Sequence, residues 1–172
     1  QSEQHIDVEG CKLSANGENL FLSFQSFRLN ADEVVNFSTT PSVQNVFARV
    51  RRSDPAIVNG ELQLSGSQAN LFLMNPAGVI FGENATFNLP ANFTATTANA
   101  IGFEHSVTEV TAWFNASGNN TYAELGGHPS AFAFADDAPG AVVNAGDLTL
   151  NAAQQLTLIG GATVNAGTLA TP

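Results

Sequence analysis

The sequence predicts an all-β solenoid, in which short strands wind into coils that stack on one another. The first reason is repetition. Val143, Asn144, Ala145, Gly146, any residue, Leu148 returns as Val164, Asn165, Ala166, Gly167, any residue, Leu169. A looser copy begins at Val58, Asn59, Gly60, so that Gly60, Glu61, Leu62, Gln63, Leu64 aligns with Gly146, Asp147, Leu148, Thr149, Leu150. Copies resume after a polar break as Leu71, Phe72, Leu73, Met74 and as Leu156, Thr157, Leu158, Ile159. A period of about 20 residues made of strand and turn marks coils that bury a core only by stacking. The second reason is the period itself: apolar residues alternate in twos and nowhere hold a helical spacing. Ala95, Ala98, Ala100, Ala152 and Ala153 sit among Thr, Asn and Gly, which suit strands and turns better than helix interiors.

The chain reads as one domain in four stretches. Residues 1–50 are non-repetitive and act as an N-terminal β cap, with one short strand in the polar opening of residues 1–19. Leu20, Leu22 and Phe24, then Phe27 and Leu29, alternate along a strand with an irregularity near Gln25 and Ser26. Leu20, Phe21, Phe24 and Phe27, with Asn19 at the head of the strand, are assigned to the cap. Val34 to Phe37 and Val43 to Val50 make further strands, and Ser53, Asp54, Pro55 breaks the pattern as a turn. Residues 51–101 hold the first coils. Residues 102–141 leave the repeat as an extra-helical β-hairpin excursion, with Val107, Val110, Trp113 and Phe114 on one arm, Gly118, Asn119, Asn120 as its turn and Tyr122 to Leu125 returning. Pro129 to Phe134 restarts alternation. Residues 142–172 are further coils, expected to continue in the full-length protein because no second cap follows Leu169 to cover the open end of the stack.

Composition narrows the function. The chain has 172 residues, 44% of them apolar, enough for one buried core. Five basic residues face fifteen acidic ones for a net charge of −10, which argues against nucleic acid and anionic membranes as partners. Arg49, Arg51 and Arg52 read as a solvated strand end. No run approaches the 18 or so apolar residues of a membrane span, and no signal peptide opens the chain. Cys11, the single cysteine, excludes an internal disulfide and reads as a small buried hydrophobe. His5, His105 and His128 lack metal-ligand spacing, and no nucleophile elbow or phosphate-cradling loop appears. Neither metal nor cofactor is expected.

The most distinctive run is Ala69 to Gly82, centred on Asn75, Pro76, Ala77, Gly78, Val79. Asn at the first turn position accepts hydrogen bonds from the backbone that follows, Pro presets φ at the second, and Gly at the fourth tolerates positive φ. The result is a tight corner between two apolar strands. Asn70 is placed to stack with asparagines of adjacent coils, and Asn59, Asn144 and Asn165 are placed at comparable turn positions.

Together with Asn19, Leu20, Phe21 to Phe27 and with Phe93 to Thr97, this run resembles the amino-terminal secretion domain of two-partner-secretion exoproteins. These include the filamentous haemagglutinins and high-molecular-weight adhesins of Gram-negative bacteria. Asn75 to Val79 is similar to the family's Asn, Pro, Asn, Gly, Ile motif, with Ala77 in place of its second asparagine. Val46 to Val50 resembles the strand before it in the adhesin branch, whereas the additional asparagine and proline motif of the haemagglutinin branch is missing. Pro129 to Phe134 is similar to a segment of cyanobacterial members. The resemblance implies a right-handed parallel β-helix without catalytic activity that serves as a secretion signal. It further implies recognition in the periplasm by the POTRA domains of a TpsB barrel of the Omp85 superfamily, folding outside the cell as a monomer, and a secreted or cell-surface location. Asn70 and Asn75 to Val79 would be the motif residues, either building the corner or touching the transporter. Two other functions compete: an adhesive surface on the excursion through Trp113, Phe114 and Tyr122, and a polysaccharide-degrading β-helix enzyme, which the scarcity of basic residues disfavours.

Overall fold

The computed structural model describes residues 6–106 and 109–172, and it is all-β apart from one 3-10 turn at Tyr122–Glu124 among the described residues. The chain opens with β1 (Ile6–Leu13), antiparallel to β2 (Asn19–Leu29). From β2 onward the strands stack in parallel. The coils run through β2 and β3 (Val34–Ser38), then β4 (Asn45–Val50), β5 (Ala56–Val58) and β6 (Glu61–Ser65), then β7 (Asn70–Met74), β8 (Val79–Phe81) and β9 (Thr86–Asn88). β10 (Phe93–Thr96) begins the next coil. The chain then departs through β11 (Ala100–Ser106), β12 (Glu109–Asn115) and β13 (His128–Ala133) before the coil is completed by β14 (Ala141–Asn144) and β15 (Asp147–Thr149). A last coil holds β16 (Leu156–Ile159), β17 (Ala162–Asn165) and β18 (Thr168–Ala170).

The faces of this β-solenoid follow from strand pairing. The first stacks β2, β4, β7, β10 and β16; the second stacks the end of β2 with β5, β8, β14 and β17; the third holds β3, β6 and β9, with β15 and β18 paired beyond them. β2 serves two faces because it bends. Its pairing with β1 skips Gln25, and it meets β4 through Phe24 but β5 only from Arg28, so the expected irregularity near Gln25 is the corner of the coil.

Register places like residues above like. On the first face Leu20, Val46, Leu71, Phe93 and Leu156 form one interior column, and Leu22, Ala48, Leu73, Ala95 and Leu158 another. Each fully buried side chain of this kind contributes about 1.5–3 kcal/mol. The two copies of the repeat superpose as the sequence requires, Val143 on Val164 and Leu148 on Leu169.

A second core lies outside the coils. Phe21, Phe47 and Phe72 point outward from consecutive strands of the first face, with ring centroids 5.1 and 4.6 Å apart. The three-stranded sheet β12-β11-β13 closes over them with Phe103, Phe114 and Ile101. Both faces of β2, β4 and β7 are therefore covered, which is why Asn45–Val50 is buried throughout.

Several expectations are corrected. β1 is a full strand of eight residues, longer than the short one expected, and Cys11 on it is exposed because that strand lies across the end of the stack. Parallel stacking begins at Asn19, so residue 50 marks no change of architecture. The hairpin is formed by β11 and β12; Tyr122–Glu124 is a 3-10 turn and the third strand is β13, while Val107 lies outside the described residues. Gly118, with φ of 77°, turns the chain after β12 and does not join two strands.

Candidate recognition surface

The corner at Asn75 has the predicted chemistry. The Gly78 N–H donates to the Asn75 carbonyl at 3.0 Å, closing the turn, and the Ala77 N–H donates to Asn75 Oδ1 at 3.0 Å. Asn75 Nδ2 in turn donates 2.9 Å to the Asp54 carbonyl of the preceding coil, so one buried side chain ties two coils together. Gly78 has φ of 138°, where a β-carbon is strained. A β-carbon at Gly140 would lie 2.6 Å from the Pro76 carbonyl oxygen, so the chain returning from the excursion passes directly over this turn. Val79 leads into the core and is fully buried, whereas Pro76 and Ala77 are half-buried. Asn75→Ala is expected to cost about 2 kcal/mol, because it strands a backbone donor and the Asp54 carbonyl, and chemical denaturation will read this as a lower midpoint at unchanged slope.

Asn70 belongs to a polar ladder. Asn45 Nδ2 donates to Asn19 Oδ1 and Asn70 Nδ2 to Asn45 Oδ1, each at 3.0 Å. Above them the Asn92 N–H donates to Asn70 Oδ1 at 3.1 Å, and the Gln155 N–H to Asn92 Oδ1 at 2.8 Å. At the lower end Asn19 Nδ2 donates to the carbonyls of Leu125 and Gly127, joining the ladder to the excursion. Asn144 and Asn165 make a second, shorter ladder at 2.9 Å. Asn59 does not join it. It stands one residue further along than Asn144, since Val58 and Asn144 both stack on Phe81, and its Oδ1 accepts the Asn84 N–H.

Of the residues assigned to the cap, Leu20, Phe24 and Phe27 pack inside the coils, Phe21 packs outside them in the second core, and Asn19 is buried at the foot of the ladder.

Arg49 corrects a further expectation. It is not a solvated strand end: it is 4% exposed, with Nε donating 2.7 Å to Ser23 Oγ and Nη1 donating 2.9 Å to each of the Asn115 and Gly118 carbonyls. Its guanidinium lies 5.7 Å from the centroid of the Phe114 ring. Burial lowers its pKa, opposed by Tyr122 and Glu9, yet an arginine stays charged at any physiological pH. Sequence reasoning missed it because Arg51 and Arg52, its exposed neighbours, make the triplet look like a surface run.

Two cavities flank this anchor. The larger, about 440 Å³, lies between the Pro76–Ala77 corner, Arg51, Arg52 and the base of the excursion at Asp136. The smaller, about 180 Å³, is bordered by Lys12, Glu9, Arg49 and Arg51. Arg51 Nη1 is 3.0 Å from Glu9 Oε2. Among the described residues no group of His, Cys, Asp or Glu is placed to hold a metal ion, and no helix is long and apolar enough to cross a membrane.

Fold and site together define a parallel β-solenoid with an asparagine ladder along one face and a lateral sheet sealed by an aromatic stack. The chain belongs to the TPS secretion domain family, whose model matches residues 1–172. Its fold is similar to the crystal structure of the HMW1 secretion domain from Haemophilus influenzae, with a TM-score of 0.53 and 23% identity, over 95% of this chain and 41% of that one. No functionally curated protein matches the chain. Membership of the family makes this the secretion domain of an exported protein.

Proposed function

We propose that this domain is the secretion signal of a larger exoprotein of adhesin type. In this reading the POTRA domains of a cognate TpsB barrel recognise it in the periplasm, and it nucleates β-helix folding outside the cell as a monomeric, non-enzymatic module. The observation that carries the reading is the family match over the whole chain. The physical rationale is the one-dimensional stack: each coil offers a template edge to the next, so folding beyond the membrane favours export coil by coil. Asn75, Gly78 and Val79 serve as corner builders, Asn70 as a rung of the asparagine ladder, and Asn19, Leu20, Phe21, Phe24 and Phe27 as the packed start of the stack. Pro76 and Ala77, half-buried beside the larger cavity, are the motif residues proposed to touch the transporter. Export of the exoprotein co-expressed with its transporter is expected to be lost when residues 19–101 are deleted. Undiminished export would overturn the reading.

A second reading, a surface adhesin module, is favoured by one observation. Trp113 is 40% exposed on β12 while its neighbour Phe114 is buried, so strand alternation turns the indole away from the solenoid. Glycan-array binding that disappears in Trp113→Ala would support it.

A further inference from the structure

Four of the five basic residues of this acidic chain gather on one side of the solenoid. Lys12 and Arg49 line the smaller cavity, Arg52 lines the larger, and Arg51 lines both, so the two form one seam. Among the described residues, Glu9 and Asp136 are the carboxylates that border it. Arg49 is occupied by its internal hydrogen bonds and Arg51 by Glu9. The exposed Lys12 and Arg52 are different: among the described residues neither has a hydrogen-bond or ion-pair partner. The seam is thus a cationic strip on a body of net charge −10, a distribution that repels an anion from most of the surface and directs it here.

The strip runs beside a free strand edge. Among the described residues β1 pairs with β2 alone, so no described strand occupies its other edge, and Lys12, Glu9 and Gly10 on this strand border the smaller cavity. Val8 and Leu13, both exposed, offer apolar contact along the same strand. An anionic polysaccharide would satisfy the charges but not the edge; a peptide strand satisfies both, since main-chain pairing needs alternating N–H and C=O groups. We infer that this seam takes an extended acidic peptide segment of a partner protein, one whose carboxylates alternate with apolar residues. The inference stands apart from the secretion role, which is tested by export and not by peptide binding.

The probe is a fluorescein-labelled peptide of alternating Val and Glu, titrated with the intact domain and followed by anisotropy, with the Val and Lys peptide as control. The acidic peptide is expected to bind, more weakly as salt rises, and the basic one not to bind. Arg52→Glu combined with Lys12→Glu is expected to weaken binding at least about tenfold and Arg52→Glu alone at least about threefold, whereas Arg28→Glu, the same single reversal at the one cation outside the seam, shifts it less than about twofold. Arg52→Glu alone serves should the double variant fail to fold. Methylating the peptide nitrogens on one edge or the other is expected to abolish binding for one of the two versions. Equal loss in Arg28→Glu would show a response to net charge alone and overturn the seam. Full binding by both methylated peptides, or displacement by polygalacturonate at equal charge concentration, would overturn its assignment to a peptide.

Discussion

Phe47→Ala is expected to destabilise the domain by about 4 kcal/mol, the largest loss of any single truncation outside the coil interior. Phe47 is fully buried and touches four other rings: Phe21 at 5.1 Å, Phe72 at 4.6 Å, Phe103 at 5.1 Å and Phe114 at 6.2 Å. Removing a buried phenylalanine costs about 3–5 kcal/mol through lost transfer energy and the cavity left behind, and each aromatic pair adds about 0.5–1.5 kcal/mol beyond its area. Collapse cannot refill the hole cheaply. Phe21 and Phe72 are fixed by the ladder spacing of a parallel sheet, while Phe103 and Phe114 belong to a separate sheet whose backbone would have to move as a body. The measurement is urea unfolding followed by far-UV circular dichroism and by the fluorescence of Trp113, the only tryptophan. Both midpoints are expected to fall, the tryptophan one further, because the excursion loses its seat while Val46 and Ala48 still hold β4 inside the coil. A loss under about 1 kcal/mol would show that the second core is not what holds the excursion.

How much of this was legible depends on whether the signal was local or periodic. The corner at Asn75 could be read from five residues because turn chemistry is local, and hydrogen bonds from the Ala77 and Gly78 N–H groups close it as read. The repeat at Val143 and Val164 could be read because stacking puts identical side chains at one height. The same kind of signal stood unread further up the chain. Asn19, Leu20, Phe21 returns as Asn45, Val46, Phe47 and as Asn70, Leu71, Phe72, and these triplets are three successive rungs: the asparagine ladder, an interior column and the outward aromatic stack. It was obscured because the loops between rungs differ, so the spacing varies from 26 to 25 residues and the segment resembles a non-repetitive cap.

The excursion was harder for a physical reason. Strands buried on both faces lose the alternation that identifies a half-buried strand, and β11 carries a glycine, an alanine and a glutamate where a sequence pattern would need bulk. Gly102 is opposite both Trp113 and Ala131 across the lateral sheet, so the bulky residue there comes from one strand only. The strong turn signal at Gly118 to Asn120 therefore drew the hairpin to the wrong place. That turn is real, but it feeds a 3-10 segment, and its function is to present the Asn115 and Gly118 carbonyls to Arg49.

Arg49→Met is expected to loosen the excursion selectively, at a cost of about 3 kcal/mol. Methionine keeps an apolar stem of similar reach, so packing against Phe114 is largely retained and the change isolates the hydrogen bonds. What disappears are three bonds from a charged donor, each worth about 1.5–3 kcal/mol when made, with the sum reduced because the two carbonyls are only partly buried and regain water. Ser23 Oγ is left in a buried site with no partner of its own strand pair. Arg49→Lys tests the geometry. An ammonium keeps the charge but lacks the planar fork that reaches a hydroxyl from Nε and two carbonyls from Nη1, so most of the loss is expected to remain. The readout is again the separation of two transitions: Trp113 fluorescence moves to lower urea while the far-UV signal, dominated by the coils, moves less. The turn itself should survive, since Asn120 holds it through the Asn115 N–H at 2.7 Å and carbonyl at 3.1 Å without help from β4. Coincident transitions at the wild-type midpoint in both variants would mean that the aromatic stack alone seats the lateral sheet, and that the buried cation contributes nothing to holding it there.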